Sequence, residues 1–177
     1  MFKYSGGAVV SEVAWLDDGQ QRTWRTFLAA VHLLDASLDR QLRRDSGLPH
    51  TYYQVLAMLS EAPERALSMT GLARLLRSSP SRLSHAAAKL EDDGLIRRFR
   101  RPGDRRTTFA ELTEEGARVL EAAAPGHVAE VRRVLFDVLD PEQVEQLHAI
   151  AEAMLGVLDP EETEPRYTDP GGAHGRG

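Results

Sequence analysis

Residues 78–112 read "SSPSRLSHAAAKLEDDGLIRRFRRPGDRRTTFAEL", and the order of features in this stretch decides the fold. Ser79 can accept from the free N–H groups at a helix start. Pro80 suits the first helical position, where its missing N–H is not needed. Leu83, Ala86 or Ala87, and Leu90 then recur at helical spacing, and Gly94 ends the run as a residue that tolerates positive φ. Beyond it, "LIRRFR" and "TTFAEL" are rich in β-formers, with Phe99 and Phe109 set to share one face. Between them "RPGDRR" supplies Pro, Gly and Asp for a turn. The stretch therefore predicts a helix ending near Asp93 and a β-hairpin over 96–112 with an arginine-rich tip.

Working outward, "LSMTGLARLL" places Ser68 as an N-cap before a short helix with Leu72, Leu75 and Leu76 on its apolar face. Two short helices joined at about residues 77–79 have the spacing of a helix-turn-helix, and a hairpin directly after it makes a winged helix. Upstream, Trp24, Phe27, Leu28, Val31, Leu34, Leu38 and Leu42 mark a long amphipathic helix from Asp18 to Asp45, stopped by "SGLP" at 46–49. A further helix is expected over Thr51 to Glu61. Downstream, Thr113 caps a helix running to about Val138, which "APG" at 124–126 is expected to bend or break. Asp140, Pro141 and Gln143 open a last helix with Val144, Leu147, Ile150 or Ala151, Met154 and Leu158 on one stripe. Residues 1–14 read as a flexible N-terminal arm, and 159–177, rich in Pro, Gly and charge, as a disordered tail.

The charge is unevenly placed. The chain carries a formal net charge of −5, yet residues 74–106 alone sum to +6, leaving −11 on the rest. A basic patch on an acidic body is the footprint of a polyanion partner. At 177 residues and 42% hydrophobic content, one compact domain can bury a real core. No apolar run reaches membrane-spanning length, and the first residues lack the pattern of a signal peptide, so no membrane partner and a cytoplasmic location are expected. The absence of cysteine excludes disulfides, thiolate zinc sites and a thiol switch. The histidines, at 32, 50, 85, 127, 148 and 174, show no HxH or HExxH spacing, so no metal and no cofactor are expected. Neither a P-loop nor GxGxxG nor GxSxG is present, and an enzyme is not expected.

On the predicted second helix of the helix-turn-helix, Leu83, Ala87 and Leu90 point inward. Ser81, Arg82, Ser84, His85 and Lys89 point outward, with Ser79 at the start: short or cationic donors suited to a major groove. The free N–H groups of the first turn can meet a phosphate. At the wing, Arg98, Arg100, Arg101, Arg105 and Arg106, with Thr107, are candidates for the minor groove or its phosphates. Asp104 is expected to pair with an arginine and hold the tip in shape. Two other readings use the same basic wing: docking of an acidic protein, and RNA binding.

Residues 48–116 resemble the winged-helix core of MarR-type transcriptional regulators. The resemblance is carried by "VLAML" (55–59), "LARLL" (72–76), "SSPSRLSHAAAKLEDDGLIRR" (78–98) and "GDRRTTFAELTEEG" (103–116), with Asp104, Arg106, Leu112, Thr113 and Gly116 in the wing pattern. With the flanking helices it extends over about residues 18–158. It implies a mainly α fold with a small β-hairpin wing, in which N- and C-terminal helices form an interleaved homodimer around a winged helix-turn-helix core. The divisions are a dimerisation helix at 15–47, the DNA-binding core at 48–112 and C-terminal dimerisation helices at 113–158. The stripes over 24–42 and 144–158 are independently more apolar than one small winged helix needs. The resemblance further implies double-stranded DNA as partner, read as a palindromic operator with half-sites about 10 bp apart. A repressor is the family default. A small aromatic or phenolic effector commonly binds where the dimer helices meet the winged helix, and Trp15, Trp24, His50, Tyr52 and Tyr53 are the candidate lining. Two residues depart from the family pattern: Arg77 where glycine is frequent, and Tyr52 where glutamine is.

Overall fold

The first helix begins because Asp17 and Gln20 satisfy each other's exposed groups. Asp17 Oδ1 accepts from the Gln20 N–H at 2.7 Å, and the Gln20 side chain accepts from the Asp17 N–H at 3.0 Å. In this computed structural model, which describes residues 13–104 and 106–159, that helix is α1, Asp18–Ser46. It ends at Gly47, whose φ of 72° lets its N–H return to the Arg43 carbonyl. There follow α2 (His50–Glu61), a 3₁₀ turn (Pro63–Arg65), β1 (Ala66–Ser68), α3 (Met69–Leu75), α4 (Pro80–Asp92), β2 (Ile96–Phe99), β3 (Phe109–Leu112) and α5 (Glu114–Val134). A second 3₁₀ turn (Phe136–Val138) and α6 (Pro141–Leu158) complete the order. The expected arm and tail, apart from residues 13, 14 and 159, lie outside the described residues, as does Arg105.

The structure differs from the sequence reading in three places. The hairpin is one side of a three-stranded antiparallel sheet ordered β1-β3-β2, with Leu67 opposite Ala110. A three-residue strand is too short for alternation to show, and its partner lies far along the chain. Second, of the bend or break expected at "APG", the break does not occur: α5 runs through Pro125 as one helix. Third, α5 stops at Val134 rather than near Val138, because Leu135 leaves helical geometry at φ −125°, ψ −65°, and the chain tightens into the 3₁₀ turn.

Residues up to Glu130 and those from Val131 onward form two compact units. The first holds the core: Leu42, Val55, Leu56, Leu59, Leu72, Leu83 and Leu90 are fully buried or nearly so. Ile96, Ala110 and Leu112 from the sheet and Ala117, Leu120 and Ala123 from α5 join them. Each such leucine contributes about 1.5–3 kcal/mol by leaving water. Thr113 ties the sheet to α5, donating through Oγ1 to the carbonyls of Gly94 and Leu95 while accepting from the Gly116 N–H. The approach there is so close that a Cβ on Gly116 would lie 2.1 Å from the Leu95 carbonyl oxygen. Only glycine fits.

Other apolar stripes are not covered. In the first half of α1, Trp24, Phe27 and Val31 are exposed. In the second unit α6 buries no residue at all; Ile150, Met154, Leu155 and Leu158 face outward. That unit carries an open groove of about 380 Å³ lined by Leu135, Phe136, Val144, Leu147, His148 and Ala151. Among the described residues no helix is long and apolar enough to cross a membrane.

Candidate nucleic-acid interface

α3 and α4 are joined by the turn at 76–79. Arg77 stands there at φ 46°, in the left-handed region that explains why glycine is frequent at this position. Ser79 caps α4, its Oγ accepting from the Arg82 N–H at 3.3 Å, and Pro80 takes the first helical position. Leu83, Ala86, Ala87 and Leu90 are buried, so the opposite face is turned out by necessity. Ser81, Arg82, Ser84, His85 and Lys89 are all exposed, as is Ser79. Among them Lys89 has a partner, donating to Asp93 at 2.7 Å, which raises its pKa above the usual lysine value. The first-turn N–H groups, Arg82 and His85 thus share one open helix end, which repels cations and attracts anions.

The wing tip is a turn in which the Asp104 N–H donates to the Arg101 carbonyl at 3.0 Å. Pro102 and Gly103, the latter at φ 85°, occupy its centre in the residue pattern of a type II turn. Asp104, expected to pair with an arginine, among the described residues instead engages the backbone of the tip. Its Oδ1 accepts from the Arg106 N–H at 3.0 Å and the Thr107 N–H at 2.9 Å. These bonds, the Thr107 side-chain bond foremost, hold its carboxyl below the ordinary aspartate range. Phe99 and Phe109 pack with ring centroids 5.7 Å apart, directly opposite in the register of β2 and β3.

The wing arginines fall into two groups. Arg97 binds Glu111 across the hairpin and lies over the Phe99 ring. Arg98 binds Glu91 of α4. Arg101 reaches Glu64 at 3.2 Å and covers the Phe109 ring at 4.5 Å. By contrast, among the described residues the Arg100 and Arg106 side chains are exposed and engage no acid. The sequence reading did not foresee this sorting. The Arg97–Glu111 pair was legible as cross-strand neighbours, whereas Glu64 sits in a turn at φ 56° that no local pattern announces.

A second cluster lies where α1, α2 and α5 meet in the first unit. The His50 N–H donates to Asp39 at 3.0 Å, and its Nδ1 lies 2.9 Å from Asp35. Tyr53 is buried, and its burial raises its hydroxyl pKa. His127 of α5 packs at a tilt against Tyr53 with centroids 4.3 Å apart and lies 5.6 Å from His50, and its buried Nδ1 has no hydrogen-bond partner among the described residues. Burial, then the neighbouring His50, lowers the His127 pKa. Tyr52 is half-buried beside the core. Trp15 and Trp24 are not brought to this cluster: they are 85% and 52% exposed, and Trp24 lies about 16 Å along the helix axis from Asp35. His127 was not singled out in the sequence, since it lies far from His50 along the chain.

Comparison with known proteins places this arrangement. The profile described as the MarR family matches residues 46–107. The solved structure of Sco3205 from Streptomyces coelicolor, a MarR family transcriptional regulator in complex with DNA, is similar with a TM-score of 0.82 and 47% identity. The match covers 85% of this chain and 94% of that one. AbsC, a MarR family transcriptional regulator from the same organism, is similar with a TM-score of 0.78 and 38% identity, over 82% of this chain and 98% of that one. Among curated sequences, the HTH-type transcriptional regulator MhqR of Bacillus subtilis (strain 168) is 36% identical over 99 residues. That stretch is 56% of this chain and 66% of MhqR, just short of two thirds of its length.

Proposed function

This chain belongs to the MarR family of winged-helix transcriptional regulators, and we propose that it binds an inverted-repeat operator in double-stranded DNA as a homodimer and represses transcription from it. The observation that carries the reading is the split among the basic residues. Arg82 and His85 at the open start of α4, and Arg100 and Arg106 at the wing tip, are exposed and have no acid partner among the described residues, while Arg97, Arg98 and Arg101 hold the scaffold. α4 enters a major groove with Ser79, Ser81, Arg82, Ser84, His85 and Lys89 toward the bases or flanking phosphates. The wing tip, with Arg100, Arg105, Arg106 and Thr107, tracks the adjacent minor groove. Asp104 shapes that tip and touches no DNA. Sco3205, a similar protein solved in complex with DNA, supports DNA as the partner of this chain.

Homodimerisation follows from the uncovered stripes of α1 and α6. Exposed apolar faces of that extent mark an interface, and a second copy covers both. Regions 15–47 and 113–158 are therefore the dimerisation segments and 48–112 the DNA-binding core. The cluster of His50, Tyr53 and His127, flanked by Tyr52, is the site at which a small aromatic or phenolic effector shifts the protein away from its DNA-binding form. Within one chain, Trp15 and Trp24 take no part in it. The protein acts in the cytoplasm, where its operator is.

Selection of bound fragments from the source genome tests this reading. Recovery of a fragment with a palindrome whose half-sites lie about 10 bp apart, released by a small aromatic acid, is the expected result. Recovery of single-stranded RNA, or of fragments with no shared repeat, would count against it.

A further inference from the structure

Glu91, in the last turn of α4, gives both carboxylate oxygens to one residue of the wing. Its Oε1 accepts from the backbone N–H of Arg98 at 2.8 Å, and its Oε2 accepts from Arg98 Nε at 2.7 Å and Nη2 at 2.6 Å. Both side chains are about two-thirds buried, at 33% and 34% exposure. The backbone bond matters most. β2 is an edge strand of the sheet, so an N–H on its open side has no ladder partner. Glu91 supplies the acceptor for Arg98, and the guanidinium bonds add charge and direction. Between the two residues the chain turns at Gly94, with Leu95 and Ile96 buried beneath. The helix end and the strand are thus joined by a covalent turn below and a charged clamp at the side.

Resting on the DNA-binding reading above, we propose that Glu91 is a positioning residue for sequence recognition: it clamps α4 to the wing so that helix and wing tip meet the duplex as one body. Arg98 is its partner in the clamp and not a phosphate ligand. This departs from the sequence reading, in which Arg98 was a wing contact. The clamp also resolves an electrostatic oddity. A carboxylate beside the phosphate backbone repels it, which weakens binding to any duplex alike. A positioning role acts instead on the correct sequence, where helix and wing contacts must be made together.

These two effects have opposite signs, and so they can be separated. Affinities of the full-length protein and of Glu91→Ala are measured for a selected operator fragment and for a scrambled duplex of equal length. Glu91→Ala should bind the scrambled duplex more tightly and the operator more weakly. The ratio should fall about ten-fold, the equivalent of losing one charge-assisted hydrogen bond. Glu91→Gln keeps an acceptor for the Arg98 N–H and should recover part of the ratio. Arg98→Met keeps the backbone bond and loses only the guanidinium bonds, so it should lower the ratio less than Glu91→Ala does and leave the log–log salt slope unchanged. A ratio that stays constant in Glu91→Ala overturns the proposal, because a loss of folded protein alone scales both affinities equally. A slope reduced by about 0.9 in Arg98→Met overturns it too, since Arg98 would then neutralise a phosphate. Hydrogen exchange without DNA tests the clamp by itself: the Arg98 amide should be protected in the unmodified chain and exposed in Glu91→Ala. Unchanged protection overturns the clamp even if DNA binds. An unmodified chain that binds no duplex overturns instead the DNA reading, with the clamp still judged by exchange.

Discussion

In α4, Leu83, Ala86, Ala87 and Leu90 recur at helical spacing and all are buried. In α6, Val144, Leu147, Ile150, Met154 and Leu158 recur at the same spacing and none is. The sequence signal is alike in both; what differs is where the covering surface comes from. For α4 it comes from α2, α3 and the sheet, within the same chain. For α6, and for the first half of α1, nothing in the chain supplies it among the described residues. Periodicity therefore reports that a face must be covered and is silent on whether one chain or two do the covering.

The contrast predicts different responses to substitution. Leu56→Ala, in the core beneath α4, should cost about 2–5 kcal/mol in denaturant unfolding, and the cost should not depend on protein concentration. A paired Ile150→Glu and Met154→Glu should leave the core folded but weaken self-association by about 2 kcal/mol or more, seen as a shift to monomer in sedimentation. It should also abolish the concentration dependence of Tm. If that variant remained a dimer, α6 would not be the covered face and the comparison would break.

Smaller effects are expected around the core. Gly94 stands at φ 73° with open space where a Cβ would go, so Gly94→Ala should cost only the left-handed backbone strain, about 1–2 kcal/mol. The last effect is pH-dependent. Burial foremost, then His50, holds the His127 pKa in the folded protein below its ordinary value. As pH falls, the unfolded chain takes up that proton first, so the stability contributed by neutral His127 is full above about pH 6.5 and is lost below it, toward the folded value. Glu91 and Asp104 are also shifted downward, but their contributions disappear only under more acidic conditions, below the ordinary carboxylate range. His127→Phe, which keeps a ring against Tyr53, should flatten the Tm profile just below about pH 6.5 and leave the acid limb unchanged. A profile identical to that of the unmodified chain would remove His127 as the cause.

Much of this was legible in the residues because the signals are local. Ser68, Ser79 and Asp140 each sit at a helix start that their own side chain completes, and Gly47 and Gly94 each end one. The hairpin could be placed from its Phe pair and its Pro-Gly turn. What the sequence hid depends on distant partners. β1 pairs with β3 across most of the core domain, and Arg98 and Arg101 look like wing contacts until Glu91 and Glu64 are seen to hold them. His127 joins His50 and Tyr53 only because α5 packs against α2. A count of arginines overstated the positive charge available at the wing, since pairing had already used part of it.

A salt titration against a selected inverted-repeat duplex probes the proposed binding of DNA as a dimer through α4 and the wing tip. Two chains per duplex are expected, with a linear loss of log affinity with log salt at about 0.9 per phosphate neutralised and a slope reduced by about that amount per half-site in Arg106→Ala. Binding that does not respond to salt, or an Arg106→Ala slope equal to that of the unmodified chain, would contradict it.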